Sequence, residues 1–157
     1  MYYSYVESPV GDILLVADDE GLRSVNFPTA KRPVHPDPDW VRDDGKLADA
    51  REQFAAYFRG ERKEFDLKLV LNGTPFQQDV LRALQQIPYG ETRSYADIAR
   101  MVGRPKAVRA VGGANGRNPL SIVIPCHRVI GSSGKLTGFG GGLKVKQTLL
   151  DLEQANN

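Results

Sequence analysis

In this 157-residue chain, the hydrophobic patterns before the Asn72-Gly73 pair are mainly those of strands and the patterns after it are mainly those of helices, which limits the folds that the chain can adopt. Before the pair, apolar and polar side chains alternate in short runs such as residues 3–6, which is typical of half-buried strands. After the pair, apolar residues recur mostly three or four positions apart, which is typical of helices. We therefore predict an α+β protein with one domain over residues 1–72 and a second, mainly helical domain over residues 73–157.

The first domain is predicted to contain a small antiparallel sheet and one helix. Residues 18–21, Asp-Asp-Glu-Gly, form a hairpin-turn sequence between two apolar runs. Five apolar residues between positions 47 and 58 recur at helical spacing, and Gly60 follows them as a stop signal. The predicted elements are strands at residues 3–6, 13–17, 22–27 and 65–69, a loop rich in Pro and Asp at residues 28–43, and the helix that ends before Gly60.

The second domain contains clear helix-start signals. Thr74 followed by Pro75 is typical of an N-cap with proline at the first helical position. Ser94 and Asp97 have the spacing of a capping box. The two short helices after Ser94 are separated by a glycine turn and carry basic residues, which predicts a helix-turn-helix. The predicted elements are helices starting at Pro75 and Ser94, a helix from Pro105 to Ala114, a strand at residues 120–124, a glycine-rich loop at residues 131–142 and a helix at residues 143–152.

The second helix of this helix-turn-helix is unusual for a helix that reads DNA bases. A helix in the major groove generally contacts base edges with Arg, Asn or Gln side chains, whereas residues 105–114 are largely Ala, Val and Gly. Small side chains allow a backbone to approach a narrow groove that is recognised by its shape. They equally suit a packing face against another helix, and composition does not decide between these two interpretations.

Cys126 is the only cysteine of the chain and lies in the run Ile-Val-Ile-Pro-Cys-His-Arg-Val-Ile at residues 122–130. A thiol is a strong nucleophile only as the thiolate, which neighbours such as His127 and Arg128 favour. A lone cysteine is more commonly a small buried hydrophobic residue. The Pro-Cys-His-Arg setting, and the cost of burying an arginine without a partner, favour the reactive interpretation. We therefore predict that Cys126 is a nucleophile.

The net charge of +2 conceals opposite charges on the two predicted domains. Residues 1–72 have 10 Lys and Arg against 14 Asp and Glu, a net charge of −4, and residues 73–157 have 11 against 5, a net charge of +6. Between Arg93 and Arg128 there are seven basic residues and one acidic residue. Such a region is either a solvated surface or the binding face for an anionic partner. Its position beside Cys126 favours a nucleic acid.

Composition argues against several other kinds of protein and site. One cysteine cannot form an internal disulfide, and one cysteine with two histidines does not favour a zinc site, since His35 is far from Cys126 along the chain. The glycine-rich loop lacks the P-loop pattern of a nucleoside triphosphate site. The first residues lack the basic start and apolar core of a signal peptide, and no apolar run has the length of a membrane span. We expect a cytoplasmic protein without metal, cofactor or membrane contact.

Residues 125–129, Pro-Cys-His-Arg-Val, resemble the active-site motif of the O6-alkylguanine-DNA alkyltransferases, also called methylated-DNA–protein-cysteine methyltransferases. Further segments resemble this family in the same order and cover essentially all of residues 75–153. The N-terminal part resembles the variable domain of bacterial members. The segments that carry the resemblance, besides the cysteine motif, are residues 87–92, 94–95, 109–112, 118–119 and 141–143.

The resemblance implies a ribonuclease H-like N-terminal domain and a C-terminal domain that binds double-stranded DNA containing O6-alkylguanine through the minor groove. It implies that a flipped guanine transfers its alkyl group irreversibly to the cysteine, so that each molecule acts once and needs no cofactor. We expect a monomer, and the sequence leaves open both cooperative assembly on DNA and activity on O4-alkylthymine. The implied catalytic residues are Cys126, His127, Glu153, Asn118 and Tyr95. The implied DNA contacts are Tyr95, Ser94, Lys106, Ala107, Val108, Gly112 and Arg109, the last of which is the finger residue that replaces the flipped nucleotide. The implied base pocket is formed by Val129, Phe139, Gly140 and Asn115.

Two positions depart from the best-known pattern of the family. Phe139-Gly140 stands where some members have Tyr-Ser, and Ser121 stands where some have a proline that lines the pocket. Gly140 keeps the backbone N–H that the family uses to contact guanine O6. We expect these changes to affect the range of substrates rather than the reaction.

Two other functions remain open at this point. A helix-turn-helix regulator or lesion sensor would bind DNA without reacting, although the family's non-repairing relatives replace this cysteine. A cysteine hydrolase would turn over many times, although hydrolases generally bring Cys and His together from separate segments of the chain.

Overall fold

The N-terminal half of the chain forms a four-stranded sheet with one helix, and the C-terminal half forms the other four α-helices. The computed structural model describes all 157 residues. It contains no helix that is both long enough and apolar enough to cross a membrane. In chain order the elements are β1 (Tyr2–Val6), β2 (Ile13–Asp18), β3 (Gly21–Asn26), β4 (Val41–Arg42), α1 (Ala48–Phe58), α2 (Pro75–Leu84), β5 (Arg93–Ser94), α3 (Tyr95–Met101), α4 (Val108–Gly116), a single 3-10 turn (Cys126–Arg128), β6 (Val129–Ile130) and α5 (Leu143–Ala155). The predicted α+β class is confirmed.

The sheet has the strand order β3-β2-β1-β4. Strands β1, β2 and β3 pair antiparallel, and the predicted hairpin turn lies between Asp18 and Gly21. Strand β4 lies inside the segment predicted as a loop and pairs parallel with β1. Its register is held by the Val41 N–H, which donates to Met1 O at 3.1 Å. The sheet is therefore antiparallel except at this short edge.

The strand predicted at residues 65–69 is wrong. This segment makes only an isolated bridge to β3, between Leu22 and Leu69. The reason is that the Gln53 side chain takes both backbone groups of Asp66, accepting from Asp66 N at 2.8 Å and donating to Asp66 O at 2.9 Å. A side chain of α1 thus takes the place of the partner strand, which the alternating pattern alone does not reveal.

The predicted caps of α2 and α3 are confirmed. The Thr74 hydroxyl accepts from Gln77 N at 3.1 Å at the start of α2. Ser94 and Asp97 form a capping box, in which each side chain accepts the backbone N–H of the other, at 3.0 and 2.8 Å. Helix α3 packs against α4, as a helix-turn-helix requires.

Helix α4 begins at Val108, three residues later than the predicted start at Pro105. The Ala107 N–H donates to Arg104 O at 2.9 Å, which closes a turn ahead of the helix. Ala107 offers no side-chain cap. Lys106 and Ala107 therefore precede the helix rather than lying within it.

The strand predicted at residues 120–124 is also wrong, because this segment folds back on itself. The Ile124 N–H donates to Leu120 O at 2.9 Å. Ile122 has a φ of 76°, in the left-handed region that β-branched residues rarely adopt. Asn118 holds both ends of the turn, since its oxygen accepts from Leu120 N at 2.9 Å and its nitrogen donates to Ile124 O at 2.8 Å. Asn118 thus builds the turn that precedes the cysteine.

One continuous core of 27 buried hydrophobic residues joins the two halves of the chain. Cys126 belongs to this core, together with residues of β2, α1, α2, α3 and α5. The halves also meet in the backbone, where the Val25 N–H of β3 donates to Pro119 O at 2.8 Å. The N-terminal half is therefore packed directly against the segment that positions the cysteine.

The capping box of α3 predicts a measurable loss on substitution. Ser94→Ala removes the side-chain acceptor for the Asp97 N–H and is expected to lower the free energy of unfolding by about 1 kcal/mol. Urea denaturation measures this change, with Ser132→Ala in the exposed glycine-rich loop as the control that leaves stability unchanged. Equal stability of the two variants would contradict the assignment of Ser94 as a cap.

Candidate active site

Cys126 lies at the start of the 3-10 turn, and its side chain is buried with 3% of its surface exposed. The Cys126 N–H donates to Ile124 O at 2.8 Å. The thiol faces the Ser121 hydroxyl, with 3.9 Å between Sγ and Oγ. The carbonyl of Cys126 lies 3.5 Å from the amide nitrogen of Asn115. The nucleophile predicted from the sequence is thus fixed in the core rather than displayed on the surface.

Burial raises the pKa of the Cys126 thiol, and hydrogen bonds from Asn118 and Ser121 together with the positive charge of Lys146 offset only part of this rise. The thiol is therefore protonated in the resting protein at neutral pH. A thiol in this state needs a base to become a nucleophile.

The base next in sequence, His127, is fully buried and bonded to Glu153 of α5, with 2.5 Å between Nε2 and Oε2. Burial lowers the pKa of His127, and the neighbouring Glu153 does not fully reverse this. The neutral imidazole therefore carries its proton on Nε2, where the carboxylate accepts it. Nδ1 is left unprotonated and has no hydrogen-bond partner in the protein. An imidazole nitrogen in this state can accept a proton.

The Glu153 carboxylate is the most heavily bonded group of the site. Besides His127, it accepts from the Arg128 guanidinium at 2.8 and 3.2 Å, from the Tyr57 hydroxyl at 2.6 Å and from the Gly90 N–H at 3.2 Å. Burial alone would raise the pKa of Glu153, but the hydrogen bonds and charges of His127 and Arg128 outweigh it and hold the pKa well below its usual range. Glu153 is therefore ionised, and it fixes the orientation of the imidazole.

Arg128 does not interact with the Cys126 thiol, although it lies only two residues after it in the sequence. The prediction that it favours the thiolate is wrong, because the guanidinium faces Glu153 and also donates to Ile87 O at 2.7 Å. The shift in the pKa of Cys126 comes mainly from burial, Asn118, Ser121 and Lys146. The function of Arg128 is to pair with a buried carboxylate, which satisfies the requirement that a buried arginine has a partner.

Tyr57 of α1 belongs to the site, although the helical spacing of the sequence predicts only a packing role for it. Its ring is fully buried in the core and its hydroxyl donates to Glu153. The signal in the sequence is weak: a tyrosine stands in the apolar stripe of a helix, and a buried tyrosine hydroxyl generally has a partner. Nothing in the sequence identifies that partner, which is 96 residues away.

Lys146 of α5 is the second residue that the sequence interpretation missed. Its side chain is fully buried, and its ammonium donates to Val129 O at 2.6 Å and Thr137 O at 3.0 Å. Both partners are carbonyls, so its positive charge is not neutralised by a carboxylate and acts on the thiol. Lys146 is seven residues before Glu153, which places the two on one face of the helix, and this spacing could have suggested a shared site.

Of the four predicted base-pocket residues, only Gly140 lines a cleft together with other residues of the site. Gly140 and Asn118 line a cleft of about 170 Å³ together with Ser121 and residues of β3 and the following loop. Phe139 is half-buried against Phe27, with 5.6 Å between ring centroids. The remaining two residues lie deeper: Val129 is fully buried with its carbonyl bonded to Lys146, and Asn115 is buried under Cys126 with its side-chain oxygen unpartnered.

The predicted DNA contacts divide into an exposed group and a supporting group. Lys106, Val108 and Arg109 are exposed at the start of α4, and Arg109 forms no ion pair within the protein. Ala107 is half-exposed beside them. The side chain of Ser94 is already engaged in the cap of α3.

Gly112 of α4 and Tyr95 of α3 face each other. A Cβ built on Gly112 would lie 3.9 Å from the Tyr95 ring, which is an ordinary van der Waals separation, so an alanine would also fit at this position. The Tyr95 hydroxyl accepts from the Thr137 hydroxyl at 2.7 Å, which connects α3 to the glycine-rich loop. Gly112 therefore lies on the side of α4 that packs against α3, whereas Arg109 is exposed.

A cleft of about 710 Å³ lies between β1 and α1, away from this site, and includes none of the candidate site residues. No group of three or more His, Cys, Asp and Glu side chains is arranged to hold a metal ion.

Comparisons with known proteins agree over the whole chain. The family model described as the 6-O-methylguanine DNA methyltransferase ribonuclease-like domain matches residues 1–71, and the one described as the DNA binding domain matches residues 75–155. The methylated-DNA–protein-cysteine methyltransferase of Methanosarcina acetivorans is 54% identical over 153 residues, covering 98% of each chain. That of Mycolicibacterium paratuberculosis is 53% identical over 156 residues, covering 99% of this chain and 93% of the relative.

A solved structure supports the same relationship. The crystal structure of Mycobacterium tuberculosis OGT in complex with DNA matches this chain with a TM-score of 0.92 at 47% identity. The match covers 99% of this chain and 94% of that one.

The Arg128–Glu153 pair predicts a large loss of stability on substitution. Arg128→Ala leaves the buried Glu153 carboxylate without its cationic partner and is expected to lower the free energy of unfolding by about 3–5 kcal/mol. Arg82→Ala is the matched control, since it removes an exposed ion pair with Asp79 and is expected to cost less than about 1 kcal/mol. Denaturant unfolding of both variants checks this, and similar losses would contradict a buried pair.

The environment of Cys126 predicts a late rise of its reactivity with pH. Because its pKa is raised, the rate of alkylation by iodoacetamide should increase with a midpoint above that of free cysteine, about 8.5. Lys146→Met removes the positive charge that lowers this pKa and should move the midpoint further up. Peptide mass spectrometry after timed reaction measures both rates. A midpoint below that of free cysteine, or one that Lys146→Met lowers, would contradict this electrostatic description.

Proposed function

This chain belongs to the 6-O-methylguanine DNA methyltransferase family, and we propose that it repairs DNA by transferring the O6-alkyl group of guanine to Cys126. The observation that carries the proposal is the buried Cys126-His127-Glu153 arrangement, in which a neutral imidazole has one nitrogen fixed by a carboxylate and the other free to accept a proton. This is the order of nucleophile, base and orienting group that covalent catalysis requires.

The reaction begins with removal of the Cys126 proton. Nδ1 of His127 takes the proton, directly or through one water, and the ionised Glu153 stabilises the imidazolium that forms. The thiolate then attacks the O6-bound carbon in line. A carbon–sulfur bond forms, the carbon–O6 bond breaks, and its electron pair stays on the guanine.

Two hydrogen-bond donors are placed to stabilise the departing base. The Tyr95 hydroxyl accepts from Thr137 and keeps its own proton to donate. The Gly140 N–H forms no hydrogen bond within the protein and lies on the cleft that includes Ser121. Donors directed at the developing charge lower the barrier.

The alkylated product is a thioether, and the described chemistry contains no step that restores the thiol. We therefore propose that each molecule acts once. Neither a metal nor a cofactor takes part in this sequence of bond changes, because the thiolate, the base and the donors come from the chain itself.

The substrate base has to leave the DNA helix to reach a thiol that is 3% exposed. We propose that α4 lies in the minor groove and that Arg109, exposed and unpaired at its start, occupies the space of the flipped nucleotide. The exposed Lys106 and Val108 lie beside it. The charge of +6 on residues 73–157 would supply phosphate affinity that does not depend on sequence.

We also propose that the chain divides into domains at residues 72 and 73 and acts as a cytoplasmic monomer. The division is supported by the two family models, whose matches end at residue 71 and begin at residue 75. It is a division of architecture and not of packing, since the core is continuous across it.

Exposure to damaged DNA tests this function directly. Incubation with an O6-methylguanine duplex should add the mass of one methyl group to Cys126, in an amount that never exceeds one equivalent per protein. Cys126→Ala should bind the duplex without transferring. An unmodified Cys126 alongside tight binding would support a lesion sensor, and several lesions repaired per molecule would exclude the proposed single reaction.

The role of Arg109 predicts a difference between two substrates. Arg109→Ala should slow repair of the duplex by about tenfold or more, because unstacking a base costs a few kcal/mol that the side chain partly offsets. Reaction with the free base O6-benzylguanine should be unaffected. Arg82→Ala on α2 controls for the lost charge. Equal losses on both substrates would remove the proposed role of Arg109.

A further inference from the structure

The N-terminal half holds the glycine-rich loop at one point by side chains. The Thr29 hydroxyl, three residues after the end of β3, donates to Gly141 O at 2.6 Å. Beside it, the Phe27 ring packs on Phe139 and leaves no space at Gly141, where an added Cβ would lie 2.7 Å from Phe27. These contacts join residues that are 112 positions apart in the sequence.

The loop has few other restraints at this point. Gly140, Gly141 and Gly142 are consecutive, and no neighbouring atom lies within 4 Å of a Cβ built on Gly140 or Gly142. Glycine loses more backbone freedom on ordering than any other residue. The direction of the Gly140 N–H therefore depends on what holds the adjacent residues.

Contacts within the loop and from α5 hold the residues on either side of Gly140-Gly141, and one of them is the Lys146 N–H, which donates to Gly142 O at 3.1 Å. The Gly142 N–H donates to Phe139 O at 2.9 Å and closes a turn. Lys146 binds Thr137 O on the far side of that turn. Phe27 and Ala30, which flank Thr29 in the sequence, line the same cleft as Asn118 and Ser121.

We propose that Thr29 is a positioning residue for alkyl transfer, which fixes the Gly140-Gly141 segment so that the Gly140 N–H is directed at the departing oxygen. This inference rests on the proposed function, in which that N–H stabilises the leaving base. It assigns the N-terminal half a part in the second half of the reaction, the breaking of the carbon–oxygen bond. Formation of the thiolate, which depends on His127 and Glu153, does not involve Thr29.

This separation defines the experiment. Thr29→Val keeps the shape of the side chain and removes the hydroxyl, and Thr29→Ser keeps the hydroxyl. Thr148→Val is the matched control, because its hydroxyl donates to Lys144 O on the exposed side of α5. For each protein we would measure the maximal rate of methyl transfer from an O6-methylguanine duplex, the DNA concentration at half-maximal rate, and the rate at which iodoacetamide alkylates Cys126.

Thr29→Val should lower the maximal transfer rate by about five- to tenfold, the effect of one lost hydrogen bond. The half-saturating DNA concentration and the iodoacetamide rate should not change, because iodide leaves without help from Gly140. Thr29→Ser should restore the rate, and Thr148→Val should not affect it. Hydrogen exchange of the Gly142 amide should accelerate in Thr29→Val alone.

An unchanged transfer rate in Thr29→Val would overturn the inference. An equal fall in transfer and iodoacetamide rates would overturn it too, since it would show a general disturbance of the site. If the unaltered protein transfers no methyl group, the proposed function fails. The Gly142 exchange would then still show whether Thr29 fixes the loop.

Discussion

The buried carboxylate of Glu153 is the interaction on which the rest of the site depends. It is the meeting point of Tyr57 from α1, Gly90 from the segment after α2, and His127 and Arg128 from the 3-10 turn. A buried carboxylate is costly unless its charge is paired and its oxygens accept hydrogen bonds. Meeting this requirement forces both halves of the chain to pack in one arrangement. The same arrangement leaves one nitrogen of the imidazole free.

The Glu153 carboxylate is ionised, whereas the Cys126 thiol is kept in its neutral, protonated form. Burial keeps Cys126 protonated, with Lys146 and Ser121 close enough to ease its ionisation but not to cause it. A buried thiol without a thiolate reacts slowly with solutes. Because the proposed reaction consumes the nucleophile, this low reactivity limits side reactions of the thiol with solutes. In the same proposal, the Gly140 and Tyr95 donors act on the base and not on the sulfur, which adds selectivity for a base as the substrate.

The parts that could be predicted from sequence are those whose partners are near in the chain. The caps at Thr74 and Ser94 depend on residues three positions away, and the Cys126-His127 pair is adjacent. Three of the failures have distant partners, whereas the turn at residues 120–124 is held by the nearby Asn118. The strand expected at residues 65–69 is replaced by bonds to Gln53. Likewise, Arg128 binds a carboxylate 25 residues away instead of the nearby sulfur, and Tyr57 bonds across 96 residues. Such pairings follow from packing, which one sequence does not display.

NMR can show directly whether Nδ1 of His127 is free to accept the proton of Cys126. Only two histidines are present, so selective ¹⁵N labelling gives two imidazoles to observe by NMR, and His127→Gln assigns them. At neutral pH we expect a neutral ring with its proton on Nε2 and an unprotonated Nδ1. A ring protonated on both nitrogens, or a neutral ring with its proton on Nδ1, would contradict the role of His127 as the base, because neither leaves a nitrogen that can accept the proton of Cys126.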